Sequence, residues 1–294
     1  MTPAATLLYF KANNHIKKSK DSDGKRRSDW LIRVFPNLYP ALSPPSKTKL
    51  KGSSGQYQRM SAIGLHEVVV ESPNHDEHPG VANVEQLKLT IEAIQERVKT
   101  MSTYNYIKYV SVFRNHGKEA GASLSHAHSQ IIATPMVPKL ISDEIGASDR
   151  FHKENGKCAF CEIIKKESRS PRLIYKNSNF IAFASWAGIH PFEFWILPQK
   201  HQPSILDMSK NEMGALAKTM RSCFGGLKKI LNDPPYCLTF HIAPPDGKYS
   251  FYHWHIEVYP YLSVFAGFEK GTNMYINTVL PESAAKILRD SIVK

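Results

Sequence analysis

Apolar and polar positions follow the same order twice along the chain. Residues 66–75, HEVVVESPNH, and residues 192–201, FEFWILPQKH, each carry a Glu, an apolar run, a proline and a final His. Such runs are typical of buried strands that end in a turn. A pattern with helical period follows each of them, NVEQLKLTIEAIQERVKTM and SKNEMGALAKTMRSCFGGLKKIL. Each pattern predicts a helix, with Asn83 and Ser209 as the N-cap residues.

In each half, a further apolar segment and a His-x-His motif follow the predicted helix, and they predict two more strands. The strands are YIKYVSVFRNHG and YCLTFHIAPP, and the histidines stand in SHAHSQIIA and YHWHIEVYP. His126 follows His75 by 51 positions, and His253 follows His201 by 52. The shared order predicts an α+β fold: a duplicated unit with a mostly antiparallel sheet and helices packed on it. We place the first unit at residues 1–145 and the second at 146–294, with residues 139–155 as the connector.

The first His-x-His lies in GASLSHAHSQ, residues 121–130. Alternate side chains of a strand point to the same face, so His126, His128 and Gln130 are expected to stand in a row. The small residues Gly121 to Ser123 just before them would let a phosphate approach the backbone.

Composition narrows the class of protein. The 294 residues are 42% hydrophobic and 22% charged, as in soluble globular proteins of one large or two ordinary domains. No apolar run is long enough to span a membrane, and the start MTPAATLLYF lacks the basic region and cleavage site of a signal peptide. We therefore expect a cytoplasmic protein. Four cysteines are too few for a disulfide scaffold of this size.

The net charge of +12 fits either a nucleic acid or anionic small molecules as partners. Residues 11–29 hold seven Lys and Arg against three Asp, which indicates a solvated loop or hairpin. No aromatic residues are interleaved there to stack on bases. We expect small anionic substrates, with no nucleic acid and no membrane as partner.

A Cys-x-x-Cys pair, Cys158 and Cys161, stands where the second unit begins. Such a pair needs two more ligands for a tetrahedral zinc site. His201 and His253 are the natural candidates because of their places in the repeat. The alternatives are a redox pair, which would need a thioredoxin-like setting that the pattern does not show, or two buried thiols. Of the remaining cysteines, Cys223 and Cys237 are interpreted as core residues.

The first half offers His75 and His126 in the matching places, but no cysteine pair precedes them. Two histidines alone hold zinc poorly. This first site is therefore empty, borrows ligands, or lacks residues upstream of Met1.

These motifs resemble the galactose-1-phosphate uridylyltransferase family of the histidine-triad superfamily, whose close relatives phosphorolyse nucleotide sugars. The resemblance covers nearly the whole chain and rests on WLIRVFPNLYPAL, HEVVVESPNH, FRNHGKEAGASLSHAHSQ, CAFC, NDPPY, HWHIEVYP and GFEKGTNMYIN. It implies a ping-pong reaction. A histidine attacks the α-phosphorus of a UDP-sugar, releases the sugar 1-phosphate, and then passes the nucleotide to a second sugar phosphate. It also implies bound Zn²⁺ and a homodimer that completes the sugar site across subunits.

The resemblance assigns roles to individual residues. The nucleophile falls on His128 and a zinc ligand on His126. The remaining roles are phosphate donors (Asn115, Ser123, Gln130), a nucleotide contact (Asn37) and a hexose-binding turn (Phe268, Glu269). Without the resemblance, Asn115 would be a turn residue at a strand end, Gln130 a half-buried polar residue of a strand, and Phe268 a core residue.

Three departures accompany the resemblance. The family's first Cys-x-x-Cys would lie just upstream of Met1. His255 occupies the place equivalent to the nucleophile in a unit that is normally not catalytic, so we interpret it as structural or sugar-facing. Leu38 follows Asn37 where some uridylyltransferases place an acid for the ribose.

The expected function is exchange of UMP between UDP-glucose and galactose 1-phosphate through a covalent nucleotidyl-histidine. The alternative is a phosphorylase of the ADP-glucose type, in which inorganic phosphate resolves the intermediate. Less favoured hypotheses are a nucleic-acid-binding or repair member of the superfamily and a binding protein that has lost its activity.

Overall fold

The computed structural model describes residues 3–13, 15–22, 25–45, 51–54, 56–247 and 249–292. Within them the chain forms thirteen strands and six α-helices. The strands are β1 (Leu7–Ala12), β2 (His15–Ser19), β3 (Trp30–Pro36), β4 (Lys51–Ser54), β5 (Tyr57–Met60), β6 (Leu65–Val70), β7 (Tyr109–His116), β8 (His128–Thr134), β9 (Leu173–Lys176), β10 (Phe180–Ala184), β11 (Phe194–Pro198), β12 (Tyr236–His241) and β13 (His255–Pro260). The helices are α1 (Val84–Ser102), α2 (Lys139–Asn155), α3 (Ala159–Glu167), α4 (Lys210–Leu231), α5 (Gly267–Thr272) and α6 (Pro281–Ser291).

Eleven of these strands form one sheet in the order β2-β1-β3-β6-β8-β7-β12-β13-β11-β10-β9, and β4 pairs with β5 alone. Every pairing of named strands is antiparallel. The order β6-β8-β7 of the first half returns in mirror order as β12-β13-β11 in the second. The expected α+β class with a duplicated unit is therefore confirmed.

The two halves join where β7 pairs with β12, from His116 opposite Tyr236 to Val112 opposite Phe240. The sheet crosses this seam without a break, and one apolar core extends through both halves. The domain boundary that we placed between residues 145 and 146 falls inside α2 and stays a prediction.

Helices α1, α4 and α6 cover one face of the sheet. Both predicted N-caps are confirmed: the Asn83 side chain accepts from the Glu85 amide, and the Ser209 side chain accepts from the Glu212 amide. The expected connector, residues 139–155, is itself helix α2. Among the described residues, no helix is both long and apolar enough to cross a membrane.

The basic segment near the start of the chain forms part of a hairpin, as predicted. Strand β2 pairs with β1 at the edge of the sheet, and all its residues are exposed. Lys18 lies 3.0 Å from a carboxylate oxygen of Glu92 on α1 and also pairs with Glu96. Part of the positive charge is thus neutralised within the fold.

Glu67 and Glu193 hold matching places in the two sequence motifs, but the structure places them on opposite faces of the sheet. Glu67 binds Arg97 of α1, with 2.7 Å between carboxylate oxygen and Nε. In the second half it is Phe194 that contacts Phe224 of α4, so its neighbour Glu193 points to the opposite face. A shift of one residue in strand register moves every side chain to the other face. The order of elements repeats, but the two glutamates are not structural equivalents.

Candidate active site and metal centre

His128 is the first residue of β8 and lies opposite Val70 of β6, while Gln130 lies opposite Val68. These side chains point away from α1. As the alternation predicts, His126, His128 and Gln130 line one cavity, whose volume is about 630 Å³. The other residues of this cavity are largely apolar or aromatic (Trp30, Arg33, Phe35, Asn37, Leu38, Tyr39, Val68, Val70, Ser123, Leu124). We call it the larger cavity.

The imidazole of His128 is fixed by its own backbone. Its Nδ1 lies 2.8 Å from the carbonyl oxygen of His126, which accepts the Nδ1 proton. The neutral ring then keeps a lone pair on Nε2. Within the described part of the chain, Nε2 has no hydrogen-bond partner, and the side chain lines two cavities. The ring is therefore ready to act as a nucleophile.

The second cavity beside His128 is smaller, about 460 Å³, and is lined in part by residues of the segment 117–125. We call this segment the 117–125 loop. Asn115 and Ser123 line the smaller cavity, and Ser123 lines the larger one as well. Gly117 and Gly121 have φ values of +81° and +83°, a conformation that favours glycine. Ser123 of the loop and Asn115 of β7 thus place two hydrogen-bond donors in a cavity that His128 also lines.

Gln130 is oriented by a residue that the sequence did not single out. The amide of Ala41 donates to His66 Nδ1 (3.1 Å), so His66 Nε2 carries the proton and donates to Gln130 Oε1 (2.8 Å). The amide nitrogen of Gln130 is then left for the cavity. Asn37 also contacts His66 Nε2, at 3.1 Å. His66 stands two positions before Val68, which lines the larger cavity, so the two side chains share one face of the strand. This alternation was the only signal for His66 in the sequence.

The four predicted metal ligands of the second unit are brought together. Cys161 Sγ lies 3.4 Å from His201 Nδ1 and 3.5 Å from His253 Nδ1, and Cys158 Sγ lies 4.0 Å from His253 Nδ1. A tetrahedral Zn²⁺ with two sulfur and two nitrogen ligands implies ligand separations of about 3.5 Å. Carbonyl oxygens of Ser250 and Pro198 accept from the Nε2 atoms of His201 and His253, at 2.7 and 2.9 Å. This leaves both Nδ1 lone pairs facing the sulfurs, so the residues fit zinc.

The predicted first site repeats half of this arrangement. The rings of His75 and His126 are 5.1 Å apart at 82°, and those of His201 and His253 are 5.2 Å apart at 87°. His126 Nε2 donates to the Ser72 carbonyl, at 2.7 Å, as His253 does to Pro198. In the described ranges, no cysteine pair joins these histidines as a metal-ligand group. The first half therefore presents two ligands of a possible four.

His255 has the backbone support of His128 but the opposite surroundings. Its Nδ1 lies 3.2 Å from the His253 carbonyl, whereas its Nε2 lies 3.2 Å from a Glu257 oxygen and 3.6 Å from a Glu144 oxygen. Burial alone would lower the pKa of His255, but the two carboxylates outweigh it and raise the pKa. The ring is fully buried and its Nε2 faces these carboxylates, so it offers no lone pair to a cavity. Of the two interpretations of His255, its burial favours the structural one, which stays a prediction.

Two further groups of ligand-type side chains are hydrogen-bonded networks. Glu144 accepts from His241 Nδ1, at 2.8 Å, beside His255. In the second group, the Gly80 amide donates to His78 Nδ1, so the His78 proton on Nε2 faces Asp233. His116 also contacts Asp233, at 3.0 Å. A nitrogen that carries a proton is not a metal ligand, so the second group as it stands is a cluster of polar contacts around Asp233.

The predicted hexose-binding residues lie elsewhere. Phe268 and Glu269 belong to α5 and line neither of the two cavities beside His128. Glu269 accepts from the Ala266 amide at the start of α5 (3.0 Å). Phe268 is 47% exposed, which argues against a core role. Within one chain the structure does not bring these residues to His128.

Comparison with known proteins places this site in a family. The chain is 34% identical over 279 residues to the galactose-1-phosphate uridylyltransferase of Thermotoga maritima, covering 90% of this chain and 86% of that protein. It is 35% identical over 269 residues to the ADP-glucose phosphorylase of Arabidopsis thaliana, covering 89% and 75%. The chain belongs to the galactose-1-phosphate uridylyltransferase family. Residues 75–294 also match a domain family described as a domain of unknown function, DUF4921.

Solved structures agree with this assignment. A structure of the Arabidopsis thaliana ADP-glucose phosphorylase with bound ADP-glucose has a TM-score of 0.80 at 33% identity, covering 89% of this chain and 82% of that one. A uridylyltransferase structure has a TM-score of 0.84 at 27% identity, covering 97% and 98%. The protein is therefore a nucleotidyltransferase of this family.

Proposed function

We propose that the protein transfers a nucleoside monophosphate from a nucleotide sugar to a phosphate-bearing acceptor through a covalent bond to His128. The observation that carries the proposal is the His128 ring itself. Its Nδ1 proton is held by the His126 carbonyl at 2.8 Å, and its Nε2 lone pair lies where two cavities meet.

The proposed reaction consists of two successive displacements at the α-phosphorus. In the first, Nε2 bonds to the α-phosphorus, and the bond from phosphorus to the sugar phosphate breaks, so the sugar 1-phosphate leaves with the electron pair. The imidazole then carries a positive charge, which the His126 carbonyl stabilises through Nδ1–H. In the second, an oxygen of the acceptor phosphate bonds to phosphorus and the nitrogen leaves, which regenerates neutral His128.

The two cavities suit the two ends of the substrate. The larger cavity, with Trp30, Phe35 and Asn37, offers apolar and aromatic walls with few polar groups, which suits a nucleoside. The smaller cavity offers Asn115 and Ser123 to the phosphate oxygens. Donors fixed around a phosphate stabilise the charge that develops during displacement. Gln130 supplies a third donor from the side of the larger cavity.

Cys158, Cys161, His201 and His253 would hold one Zn²⁺. With four protein ligands the ion supplies structure and no open coordination position. It would tie the start of α3 to the segment that follows β11 and to the segment that precedes β13. His75 and His126 stay a candidate first site with half of its ligands.

We propose UMP exchange between UDP-glucose and galactose 1-phosphate as the first candidate reaction. The extent of the match to the Thermotoga maritima uridylyltransferase supports it. The second sugar phosphate would contact Phe268 and Glu269 of a partner subunit in a homodimer. In favour of a dimer, the segment around α5 leaves large apolar side chains exposed (Leu262, Val264, Phe268, Met274, Ile276).

Phosphorolysis of ADP-glucose is the second candidate. Leu38, which lines the larger cavity and is 62% exposed, stands where some uridylyltransferases place an acid for the ribose. The similarity to a phosphorylase solved with bound ADP-glucose also favours this reaction.

Intact-protein mass spectrometry without acceptor tests the proposal. The chain is mixed with UDP-glucose or with ADP-glucose, and the mass gain of UMP or AMP is measured. A chase with galactose 1-phosphate or with inorganic phosphate then identifies the acceptor. His128→Asn should form no adduct, and the exposed control His152→Asn should form it normally. If neither donor modifies the folded wild-type chain, the proposed function is wrong.

A further inference from the structure

The second unit reaches into the active site of the first along the seam of the sheet. Cys237, the second residue of β12, lies directly opposite Asn115 of β7. Phe113 of β7 lies opposite Gln130 of β8, and Asn115 is two residues further on the same strand. Because side chains alternate, Cys237 and Asn115 share the sheet face of His128.

The Cys237 thiol lies between two oxygens of the first unit. Its Sγ is 3.5 Å from Asn115 Oδ1 and 3.3 Å from the carbonyl oxygen of Ala120 in the 117–125 loop. Burial raises the pKa of the Cys237 thiol, so at neutral pH it keeps its proton and acts as a donor. One thiol proton therefore serves the Asn115 side chain and the loop backbone together.

This contact decides which end of the Asn115 amide meets a substrate. An amide has one oxygen that accepts and one nitrogen that donates. With Oδ1 turned to the thiol, Nδ2 lies on the side of Gly121, 3.5 Å from its carbonyl oxygen, where the amide lines the smaller cavity. A phosphate oxygen needs that donor. A reversed amide would present its oxygen to the negative charge instead.

Neighbouring residues of the second unit hold the rest of the loop without the thiol. Asp233 contacts His116 at 3.0 Å. A Cβ on Gly117 would lie only 2.7 Å from Pro235 Cβ, which shows how closely the two backbones approach. The loop thus has other anchors, and loss of the thiol alone leaves them in place.

We propose that Cys237 is a positioning residue for nucleotidyl transfer, whose thiol orients the Asn115 amide so that Nδ2 faces the phosphate next to His128. This inference rests on the proposed function. It assigns to the second, non-nucleophilic unit a direct part in shaping the phosphate site.

The test compares single-turnover rates of nucleotidyl-enzyme formation. Cys237→Ala should slow this step about fivefold, the effect of losing one neutral hydrogen bond. Cys237→Ser keeps a donor and should stay within about twofold of wild type. Cys223→Ala, which removes a fully buried thiol from α4, is the matched control and should leave the rate unchanged. Thermal unfolding of each variant identifies any that has lost its fold.

A double-mutant cycle separates positioning from general support. If the thiol acts through the amide, Cys237→Ala should not slow a chain that already carries Asn115→Ala. A further fivefold loss in that background would overturn the proposal, as would a wild-type rate in Cys237→Ala. If the wild-type chain forms no adduct at all, the proposed function fails as well. Adduct formation by wild type with no effect of Cys237→Ala refutes the positioning role alone.

Discussion

His128 and His255 are held by the same backbone device, with ring Nδ1 at 2.8 and 3.2 Å from the carbonyl oxygen two residues earlier. What differs is the residue two positions later on each strand, Gln130 in the first unit and Glu257 in the second. A Glu257 carboxylate oxygen lies 3.2 Å from His255 Nε2, and a carboxylate oxygen of Glu144 on α2 lies 3.6 Å from the same nitrogen. Duplication thus produced two equivalent histidines, of which one is left with a lone pair facing a cavity.

Gln130→Glu should impose the surroundings of His255 on His128. A carboxylate at this position would raise the pKa of His128 and repel the substrate phosphate. We expect nucleotidyl transfer at neutral pH to fall about 100-fold, measured by single-turnover kinetics. Gln130→Ala, which removes the donor without adding charge, should cost only about tenfold. Equal rates for the two variants would contradict this account.

The zinc content of the protein should depend on the ligand group of the second unit. Cys158→Ser or Cys161→Ser should lose about one equivalent of Zn²⁺ per chain, measured by elemental analysis of the purified protein, because a serine hydroxyl is a poor zinc ligand. Chelation of wild type should lower its unfolding temperature. His75→Ala, in the half-complete first group, should keep this equivalent. Loss of the same equivalent on His75→Ala, or its retention on Cys158→Ser, would refute the assignment.

The buried His78 should make the fold acid-sensitive. Burial and the nearby Arg114 hold the pKa of His78 well below its ordinary value. A lowered folded-state pKa means that its contribution to stability is complete above about pH 6.5 and is lost as pH falls. His78→Gln should reduce the slope of unfolding free energy against pH below 6.5, by up to about 1.4 kcal/mol per pH unit.

Urea titrations at several pH values measure that slope. The exposed His152→Gln is the control and should leave it unchanged. An identical acid dependence in wild type and His78→Gln would show that His78 does not titrate differently in the folded and unfolded chains.

Gly117 should tolerate substitution less well than Gly247, although both have positive φ, +81° and +74°. Alanine at either position should cost about 1 kcal/mol for the left-handed backbone. At Gly117 the new Cβ would also lie 2.7 Å from Pro235 Cβ, whereas at Gly247 it would have no atom of the other described residues within 4 Å. We expect Gly117→Ala to cost about 2 kcal/mol or more in chemical denaturation and to slow nucleotidyl transfer. Equal losses at both positions would contradict the close approach of the units.

Local sequence patterns predicted many of the residues that line the candidate site. The row of His126, His128 and Gln130 follows from the two-residue period of a strand, which needs no knowledge of the rest of the fold. The ligand group of Cys158, Cys161, His201 and His253 followed from the repeat, since equivalent elements place equivalent residues together.

Features that depend on the pairing of strands distant in the chain could not be predicted from the sequence. The opposite faces of Glu67 and Glu193 follow from a one-residue difference in strand register, which the aligned motifs conceal. His66 is tied to Gln130 by a contact across strands, and Cys237 meets Asn115 only because β12 pairs with β7. Cys237 was interpreted as a core residue, since a lone thiol in a strand carries no sign of its partner.

The central claim is that His128, and not its structural equivalent His255, carries the nucleotide. The most direct measurement is peptide mapping by mass spectrometry after reaction with the donor that modifies the intact chain, with digestion under alkaline conditions because the bond is acid-labile. We expect the nucleotide on His128, in the peptide that contains SHAHSQ, and an unmodified His255. A nucleotide found on His255, or on a residue outside the two His-x-His pairs, would contradict it.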